Sequence, residues 1–256
     1  MSRLVSKIVF MICLIVFVGS AAYLLNYVLG TTGASKDFQA LKTTEDESKV
    51  NLWALYDRNP DFRGWLDLEG TKIDYPVMQS DPEDPEFYLH LNFDKKWSNS
   101  GTPFIDSLSY DDSSNWLIYG HNMKIGTMFH DLLEYEDKEF WESHQTFKFD
   151  RLLIKDPPVD MEKWDPDLAE EDRGEYEVVA ACYSKIRSGD SKEFKYYNYF
   201  YIADEETFDE YVKGIKSESC YDTGAELSYG DQLVTLSTCA YHTDDGRFYI
   251  VGRRIN

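Results

Sequence analysis

The chain has 256 residues, of which 47 are Asp or Glu and 26 are Lys or Arg, so its formal net charge is -21 and its pI is near 4.5. Nucleic acids and anionic lipid surfaces attract basic patches, so this balance excludes a polyanion-binding protein. Hydrophobic residues make up 43% and aromatic residues 16%, a composition that can bury a core and indicates a folded domain. No stretch rich in Gly, Ser and Pro divides the chain after the first fifty residues, which favours one domain.

The N-terminus contains a candidate membrane helix. Arg3 and Lys7 precede an uncharged run over residues 8–29, and these 22 residues would cover roughly 33 Å, against a hydrocarbon core of about 30 Å. Ser20-Ala21-Ala22 also has the small-x-small form of a signal-peptide cleavage site. Apolar character continues past that point, which favours an uncleaved anchor. Because the cations lie on the short N-terminal side, the positive-inside rule predicts residues 31–256 outside the cytoplasm.

Three segments follow from this pattern: a cytoplasmic tip and anchor over 1–30, a polar juxtamembrane spacer over 31–47, and an extracellular domain over 48–256. The domain is expected to begin with a helix from Ser48 to Tyr56, which Asn59-Pro60 ends because proline disfavours helical geometry before it. Short runs rich in β-branched or aromatic residues then predict a mainly β fold. The predicted strands are Gly64–Leu68, Ile73–Gln79, Thr102–Asp106, Trp116–Tyr119, Phe147–Phe149, Tyr176–Ser184, Leu233–Thr238 and Phe248–Gly252.

Two further helices are predicted among the strands, one capped by Thr127 and one capped by Asp204. Their apolar faces follow helical spacing. The residues on these faces are Phe129, Leu132 and Leu133 in the first helix and Phe208, Tyr211, Val212 and Ile215 in the second. Residues 156–173 are acidic, contain three prolines and show neither helical nor strand period, so they are predicted to form a solvated loop.

The C-terminal region contains a candidate nucleophile. An apolar strand delivers Cys239 at its end, and Arg247 opens another β-type run eight residues later, after the turn composition Asp244-Asp245-Gly246. If these two runs pair, Cys239 and Arg247 lie at the same end of a sheet. A free thiol has a pKa of about 8.5, which a nearby cation lowers. The residues alone leave a reactive thiol and a buried thiol beside a surface arginine as equal alternatives.

A histidine forms a second candidate, because the hydrophobic run that begins at Trp116 ends in Gly120 and His121. Gly120 permits a backbone bend that could aim His121 off the sheet end, although a lone histidine there is more often structural. Cys239-x-x-His242 has ligand-like spacing, but a zinc site needs three or four ligands and no second close Cys or His pair appears. Neither a metal nor a cofactor is predicted, and no GxSxG elbow indicates a serine triad. The remaining extracellular thiols, Cys182 and Cys220, are expected in the core, and the sequence leaves their pairing open.

Several motifs match one known family. Thr235-Leu-Ser-Thr-Cys239 has the form TLxTC, Arg247 follows it, and His121 stands within Tyr119-Gly-His-Asn-Met123. Upstream matches are Asn59-Pro-Asp61, Gly64-Trp65 and Gly70–Val77. On these motifs, from about Trp53 to the C-terminus, the chain resembles the class B sortases, membrane-anchored cysteine transpeptidases of Gram-positive bacteria. The acidic stretch 156–173 is the main departure, because that strand connection is usually short in the family.

The resemblance implies a sortase-like closed eight-stranded β-barrel with an N-terminal helix and a helix between the sixth and seventh strands. It implies that Cys239 attacks a Thr carbonyl in an NPxTN- or LPxTG-like sorting signal of a secreted protein. His121 would act as general acid and base, and Arg247 would stabilise the oxyanion. Substrate contacts are expected from three further residues, Asn122, Ser237 and Thr238.

An amine from a lipid-linked peptidoglycan precursor or a pilin would then resolve the thioacyl enzyme. The alternatives that remain open are a thiol hydrolase or endopeptidase acting on the same signals, and a surface module that binds without catalysis.

Overall fold

The structure is a computed structural model that describes residues 3–42, 50–154 and 169–256. Its helices are α1 (Arg3–Gln39), α2 (Leu52–Arg58), α3 (Lys138–Ser143) and α4 (Glu205–Glu218). Its strands are β1 (Phe62–Asp67), β2 (Asp74–Gln79), β3 (Phe104–Ile105), β4 (Asn115–Tyr119), β5 (Asn122–Met123), β6 (Thr127–Met128), β7 (Thr146–Ile154), β8 (Ala169–Lys185), β9 (Leu233–Cys239) and β10 (Gly246–Arg254).

Eight strands close into a barrel in the order β1-β2-β3-β4-β9-β10-β8-β7, and β5 and β6 form a separate hairpin. Neighbouring barrel strands run antiparallel except β2 with β3 and β4 with β9, which are parallel. All eight predicted strands are found, and the predicted closed barrel is confirmed. Because α4 lies between β8 and β9, the sixth and seventh barrel strands in sequence, the predicted intervening helix is confirmed as well.

The acidic stretch is partly strand. Residues 169–173 were expected in a loop, but they begin β8 and pair with β7 in the register Arg151↔Asp172 and Asp150↔Arg173. Each carboxylate therefore faces a guanidinium across the ladder, and opposite charges at facing positions stabilise a strand pair. The rest of the predicted loop, residues 156–168, lies outside the described residues.

The predicted spacer is helical where it is described. Helix α1 continues to Gln39, and a 3-10 turn follows over Ala40–Lys42. Phe38 is buried with its ring 5.4 Å from that of Tyr75 on β2, and Leu41 is buried beside it. Two apolar residues among polar neighbours are too few for a sequence pattern, yet they attach α1 to the barrel.

Residue Asp74 binds the end of this helix. Its carboxylate accepts hydrogen bonds from Gln39 Nε2 at 2.8 Å, Lys42 Nζ at 2.5 Å and Trp65 Nε1 at 2.7 Å. Farther toward the N-terminus, Val5–Leu25 is long and apolar enough to cross a membrane.

Helix α2 begins later than predicted. The side chain of Asn51 accepts a hydrogen bond from Ala54 N at 3.0 Å and caps the helix, which ends before Asn59 as expected. Ser48 lies outside the described residues. The helix predicted after Thr127 is instead a 3-10 helix, Phe129–Glu136, followed by α3. Thr127 is not its cap, because it belongs to β6.

Helix α4 matches its predicted pattern. Asp204 caps it by accepting a hydrogen bond from Thr207 N at 2.8 Å. Phe208, Tyr211 and Ile215 are buried in a cluster between the helix and the outer face of the barrel, together with Tyr249 of β10. The remaining apolar strand faces fill the barrel interior.

Candidate active site

The pairing of β9 with β10 places Cys239 beside Arg247, which are direct partners in the antiparallel register. The intervening turn closes with a hydrogen bond from Ala240 N to Gly246 O at 3.0 Å. A Cβ atom at position 246 would lie 2.2 Å from the carbonyl oxygen of Ala240, so the turn requires glycine there. Cys239 and Arg247 are both half-buried. The expectation that the two side chains lie at the same end of a sheet is confirmed.

The parallel pairing of β4 with β9 brings His121 to the same edge. Tyr119 is the register partner of Ser237, and Gly120 N donates to Ser237 O at 3.1 Å just beyond it. Thr238 Oγ1 donates to Gly120 O at 2.7 Å. Parallel strands end on the same side of a sheet, so His121, just after β4, and Cys239, at the end of β9, lie at the same edge.

Gly120 is needed for space rather than for an unusual bend. A Cβ atom at this position would lie 2.7 Å from the ring of Phe129. That ring is buried, and Phe129 N donates to His121 O at 2.9 Å. Packing of the 3-10 helix against Gly120 therefore holds the main chain of His121.

The imidazole of His121 is oriented by one hydrogen bond, between its Nε2 and Leu89 O at 2.9 Å. A carbonyl oxygen can only accept, so Nε2 carries a proton and Nδ1 is the nitrogen that gains or loses one. Burial lowers the pKa of His121, the hydrogen bond to Leu89 opposes that effect, and the charge of His90 lowers the pKa further. The ring of His90 lies 5.8 Å from that of His121 and stacks on Trp97.

The guanidinium of Arg247 bonds only backbone carbonyl oxygens among the described residues. Its Nη1 donates to the carbonyl oxygens of Gly246 at 3.0 Å and Asp245 at 3.4 Å. Within the described ranges it forms no ion pair with a carboxylate. Burial and the nearby Asp106 raise the pKa of Tyr119, and the positive charge of Arg247 opposes them. The guanidinium charge thus extends over the edge where β4, β9 and β10 meet.

The three residues expected to contact substrate are enclosed. Ser237 is 0% exposed and hydrogen-bonded to Tyr196 OH at 2.7 Å, and Thr238 is 2% exposed and bonded to Gly120 as described. Asn122 is 9% exposed, and its amide bonds Cys239 O at 2.9 Å and His130 Nδ1 at 2.8 Å. Burial and satisfied hydrogen bonds favour a supporting role over the direct substrate contact expected from the sequence.

Sequence reasoning missed His90, His130 and the carbonyl of Leu89. His130 comes close to Asn122 because the chain turns at Gly126, in a hairpin whose strands have two residues each and give no alternation signal. Leu89 and His90 reach His121 from a connection between β2 and β3, for which the sequence contains no periodic signal.

The other cysteines outside the apolar span, Cys182 and Cys220, and the histidine of the Cys-x-x-His pair, His242, do not join this site. The ring of His242 packs 4.6 Å from that of Tyr183, and no group of three metal-ligating side chains occurs among the described residues. Cys182 and Cys220 are both free thiols. Cys182 is buried in the core as expected, but Cys220 is exposed, because Ser219 pairs with Cys182 and the next residue faces away.

A closed eight-stranded barrel, with a cysteine and an arginine facing each other on adjacent strands and a histidine at the end of a third, defines a sortase-type cysteine transpeptidase. A scan against models of known protein families found no match. Sortase B of Listeria monocytogenes is 32% identical over 225 residues, covering 84% of this chain and 78% of that protein. Sortase B of Staphylococcus aureus is 25% identical, covering 85% of this chain and 80% of that protein.

Solved structures are similar to this chain as well. The X-ray structure of Clostridium perfringens sortase B superposes with a TM-score of 0.64 at 29% identity, covering 80% of this chain and 99% of that one. The chain belongs to the sortase B family, and it is a sortase, a cysteine transpeptidase.

Proposed function

We propose that this sortase cleaves a sorting signal of a secreted protein after Thr, through a thioacyl intermediate on Cys239, and transfers the protein to an amine. The observation that supports this most is the convergence of Cys239, His121 and Arg247 from β9, the end of β4 and β10 on one edge of the barrel. His121, more than a hundred residues before the other two, joins them there, and the three side chains would supply what acyl transfer needs: a nucleophile, an acid and base, and a cation.

In the first half of the reaction, Cys239 as thiolate attacks the Thr carbonyl carbon and forms the C–S bond. His121 donates its Nδ1 proton to the leaving amine as the peptide C–N bond breaks. In the second half, Nδ1 takes a proton from the incoming amine, which attacks the thioester and releases the thiolate. The hydrogen bond to Leu89 keeps Nε2 protonated throughout, so one nitrogen serves both halves.

Arg247 is proposed as the main oxyanion donor. The amide of Ala240, the residue after the nucleophile, already donates to Gly246 O at 3.0 Å, so it is not free to bind an oxyanion. A guanidinium supplies forked donors and a permanent charge. One well-placed oxyanion donor is typically worth about 3 to 4 kcal/mol in the transition state.

The substrate class is proposed from the family. One solved relative is described as a Staphylococcus aureus sortase B-substrate complex, at 23% identity and a TM-score of 0.62. We propose NPxTN- or LPxTG-like signals for this chain, with a peptidoglycan-precursor or pilin amine as acceptor. The N-terminal helix is proposed to anchor the enzyme with the barrel outside the cytoplasm, where tethering would raise the local concentration of a membrane-bound acceptor.

The test uses the full chain in detergent micelles with a panel of signal peptides, with and without amine acceptors, followed by mass analysis. The expected products are a thioacyl enzyme that Cys239→Ala abolishes and an amide-linked product that requires the amine. Cys220→Ala, which removes an exposed thiol outside the site, should leave both unchanged. Cleavage by Cys239→Ala would refute the nucleophile, release to water alone would favour the hydrolase, and no adduct with any peptide would favour a binding module.

A further inference from the structure

We propose that Asn122 and His130 act as a positioning pair that fixes the main chain of Cys239 and thereby the direction of its sulfur. The proposal rests on the proposed role of Cys239 as nucleophile. Its basis is a continuous chain of hydrogen bonds from the Cys239 carbonyl to Asn122 Nδ2 at 2.9 Å and from Asn122 Oδ1 to His130 Nδ1 at 2.8 Å.

Only one arrangement of protons satisfies this chain. The Cys239 carbonyl can only accept, so the Asn122 atom that faces it is the NH₂ group. The other amide atom of Asn122 is then the oxygen, which can only accept from His130. His130 must therefore carry a proton on Nδ1, in either its neutral or its charged form. The hydrogen-bond network thus selects one tautomer of His130.

The hairpin β5–β6 sets this geometry. Asn122 is the register partner of Met128, and Gly126 turns the chain with φ +76° and donates its N–H to Met123 O at 2.8 Å. Lys72 fastens the turn from the β1–β2 connection, because its Nζ donates to Gly126 O at 2.8 Å. The two side chains are therefore presented on a tethered scaffold instead of a free loop.

The consequence for Cys239 follows from the peptide unit that joins it to Ala240. The carbonyl oxygen of this unit accepts from Asn122, and its N–H donates to Gly246 O at 3.0 Å. Hydrogen bonds on both sides of one planar peptide oppose its rotation, which fixes ψ of Cys239. Loss of the Asn122 bond would leave one side unrestrained, so the sulfur would spend less time in the orientation for attack.

A spectroscopic measurement tests the pair directly. Nitrogen-15 NMR of the labelled full chain in micelles should show Nδ1 of His130 protonated in the neutral ring, and Asn122→Ala should shift the ring toward the Nε2–H tautomer. An Nε2–H tautomer in the unmodified protein, or no change on Asn122→Ala, would overturn the proposal.

Kinetics of thioacyl formation form the second test. Asn122→Ala and His130→Ala should lower kcat roughly ten- to hundredfold and leave KM nearly unchanged, since a small misplacement of a reacting group costs rate rather than binding. His130→Asn should recover most of the loss, because its side-chain amide can donate from the position of Nδ1. His130→Gln, which presents its amide nearer the position of Nε2, should not.

The controls separate this proposal from the one it rests on. Lys124→Ala changes an exposed residue of the same hairpin and should alter neither the tautomer nor kcat. Equal rates for the Asn and Gln variants at His130 would overturn the pair even if Cys239→Ala is inactive. Activity in Cys239→Ala would instead refute the nucleophile, while the NMR result would still report on the hydrogen bonds.

Discussion

The imidazole of His121 shows how one backbone contact defines a chemical role. With Nε2 bound to Leu89 O, the ring cannot exchange its protonated nitrogen without breaking a 2.9 Å hydrogen bond. Burial at the same time makes the charged ring less favourable and lowers its pKa. Once protonated, His121 therefore donates its proton readily, since an acid of lowered pKa gives up its proton more easily.

The neighbouring His90 provides a pH test at this scale. Its charge lowers the pKa of His121, so His90→Gln should raise that pKa. If the imidazolium form of His121 is the active one, protonation then occurs at higher pH, and the limb of the rate profile that reports His121 should move toward higher pH. The measurement is kcat/KM for thioacyl formation as a function of pH.

A matched substitution checks that the shift is specific. His242 is exposed like His90 but lies in the turn before β10, and its ring contacts Tyr183 rather than His121. His242→Gln should leave the His121 limb in place. A profile for His90→Gln that coincides with that of the unmodified enzyme would show that His90 does not act on His121.

Ion pairs between charged side chains help to hold β7, β8 and β10 together, whereas the other barrel strands rely on alternating apolar side chains. Arg151 is only 4% exposed, donates from Nε to Asp172 Oδ2 at 3.0 Å and lies 4.4 Å from the Trp116 ring. Arg254 Nη1 donates to the same carboxylate at 2.8 Å from the last strand. Burial alone would raise the pKa of Asp172, but the hydrogen bonds from Arg254 and Arg151 hold it below its usual value.

Asp172→Asn should therefore lower the free energy of unfolding by about 3 to 5 kcal/mol, because it removes the charge of the carboxylate that pairs with the buried Arg151. The folded pKa of Asp172 lies below the unfolded one, so its contribution is present above about pH 4 and lost as pH falls through the folded pKa. Chemical unfolding of the full chain in micelles measures both effects. The exposed Asp209→Asn on α4 serves as control and should stay within about 0.5 kcal/mol. Equal stability of the two variants would contradict this account.

Strand positions were largely predictable, because the eight barrel strands carry runs of β-branched and aromatic residues. The start of β8 was not, since residues 169–173 are stabilised by charges on β7 that no local pattern reveals. The hairpin β5–β6 has only two residues in each strand and is too short for an alternation signal. Local patterns thus predict elements whose stability is local, and they fail where the partner is remote.

The candidate site divides in the same way. Pairing of Cys239 with Arg247 follows from two adjacent strands and a turn, all visible in the sequence. The burial of Ser237, Thr238 and Asn122 depends on β4, more than a hundred residues before β9, lying parallel to it. Ser237 and Thr238, which precede Cys239 in sequence, are therefore buried in the sheet and stabilise the strand that carries it.

At the scale of the whole molecule, α1 is one helix from the apolar segment to the barrel. Leu25 ends the candidate membrane span and Gln39 ends the helix, so 14 residues cover about 21 Å at about 1.5 Å each. Phe38 and the hydrogen bonds to Asp74 then attach the helix to β2. If the span lies in a membrane, this connection sets the barrel at a defined height above it.

Thiol labelling tests the proposed topology. A membrane-impermeant maleimide applied to intact cells should label Cys220, which is exposed, but not Cys13, which lies inside the apolar span. Detergent should make Cys13 reactive. In a variant with Cys220→Ser and Cys239→Ser, labelling should appear only after detergent is added. Labelling of that variant in intact cells would contradict the proposed membrane position of Cys13.

Strand β10 fills the gap between β8 and β9 in the barrel, and it carries Arg247 at its start. A nascent or truncated polypeptide that stops before residue 246 possesses its helix, His121 and even Cys239, yet its barrel remains open along two edges. If Arg247 is the proposed oxyanion donor, catalytic competence requires that β10 has been synthesised and paired. The thiol of Cys239, which could react with the wrong acyl donor, stays without a neighbouring guanidinium until β10 pairs with β9.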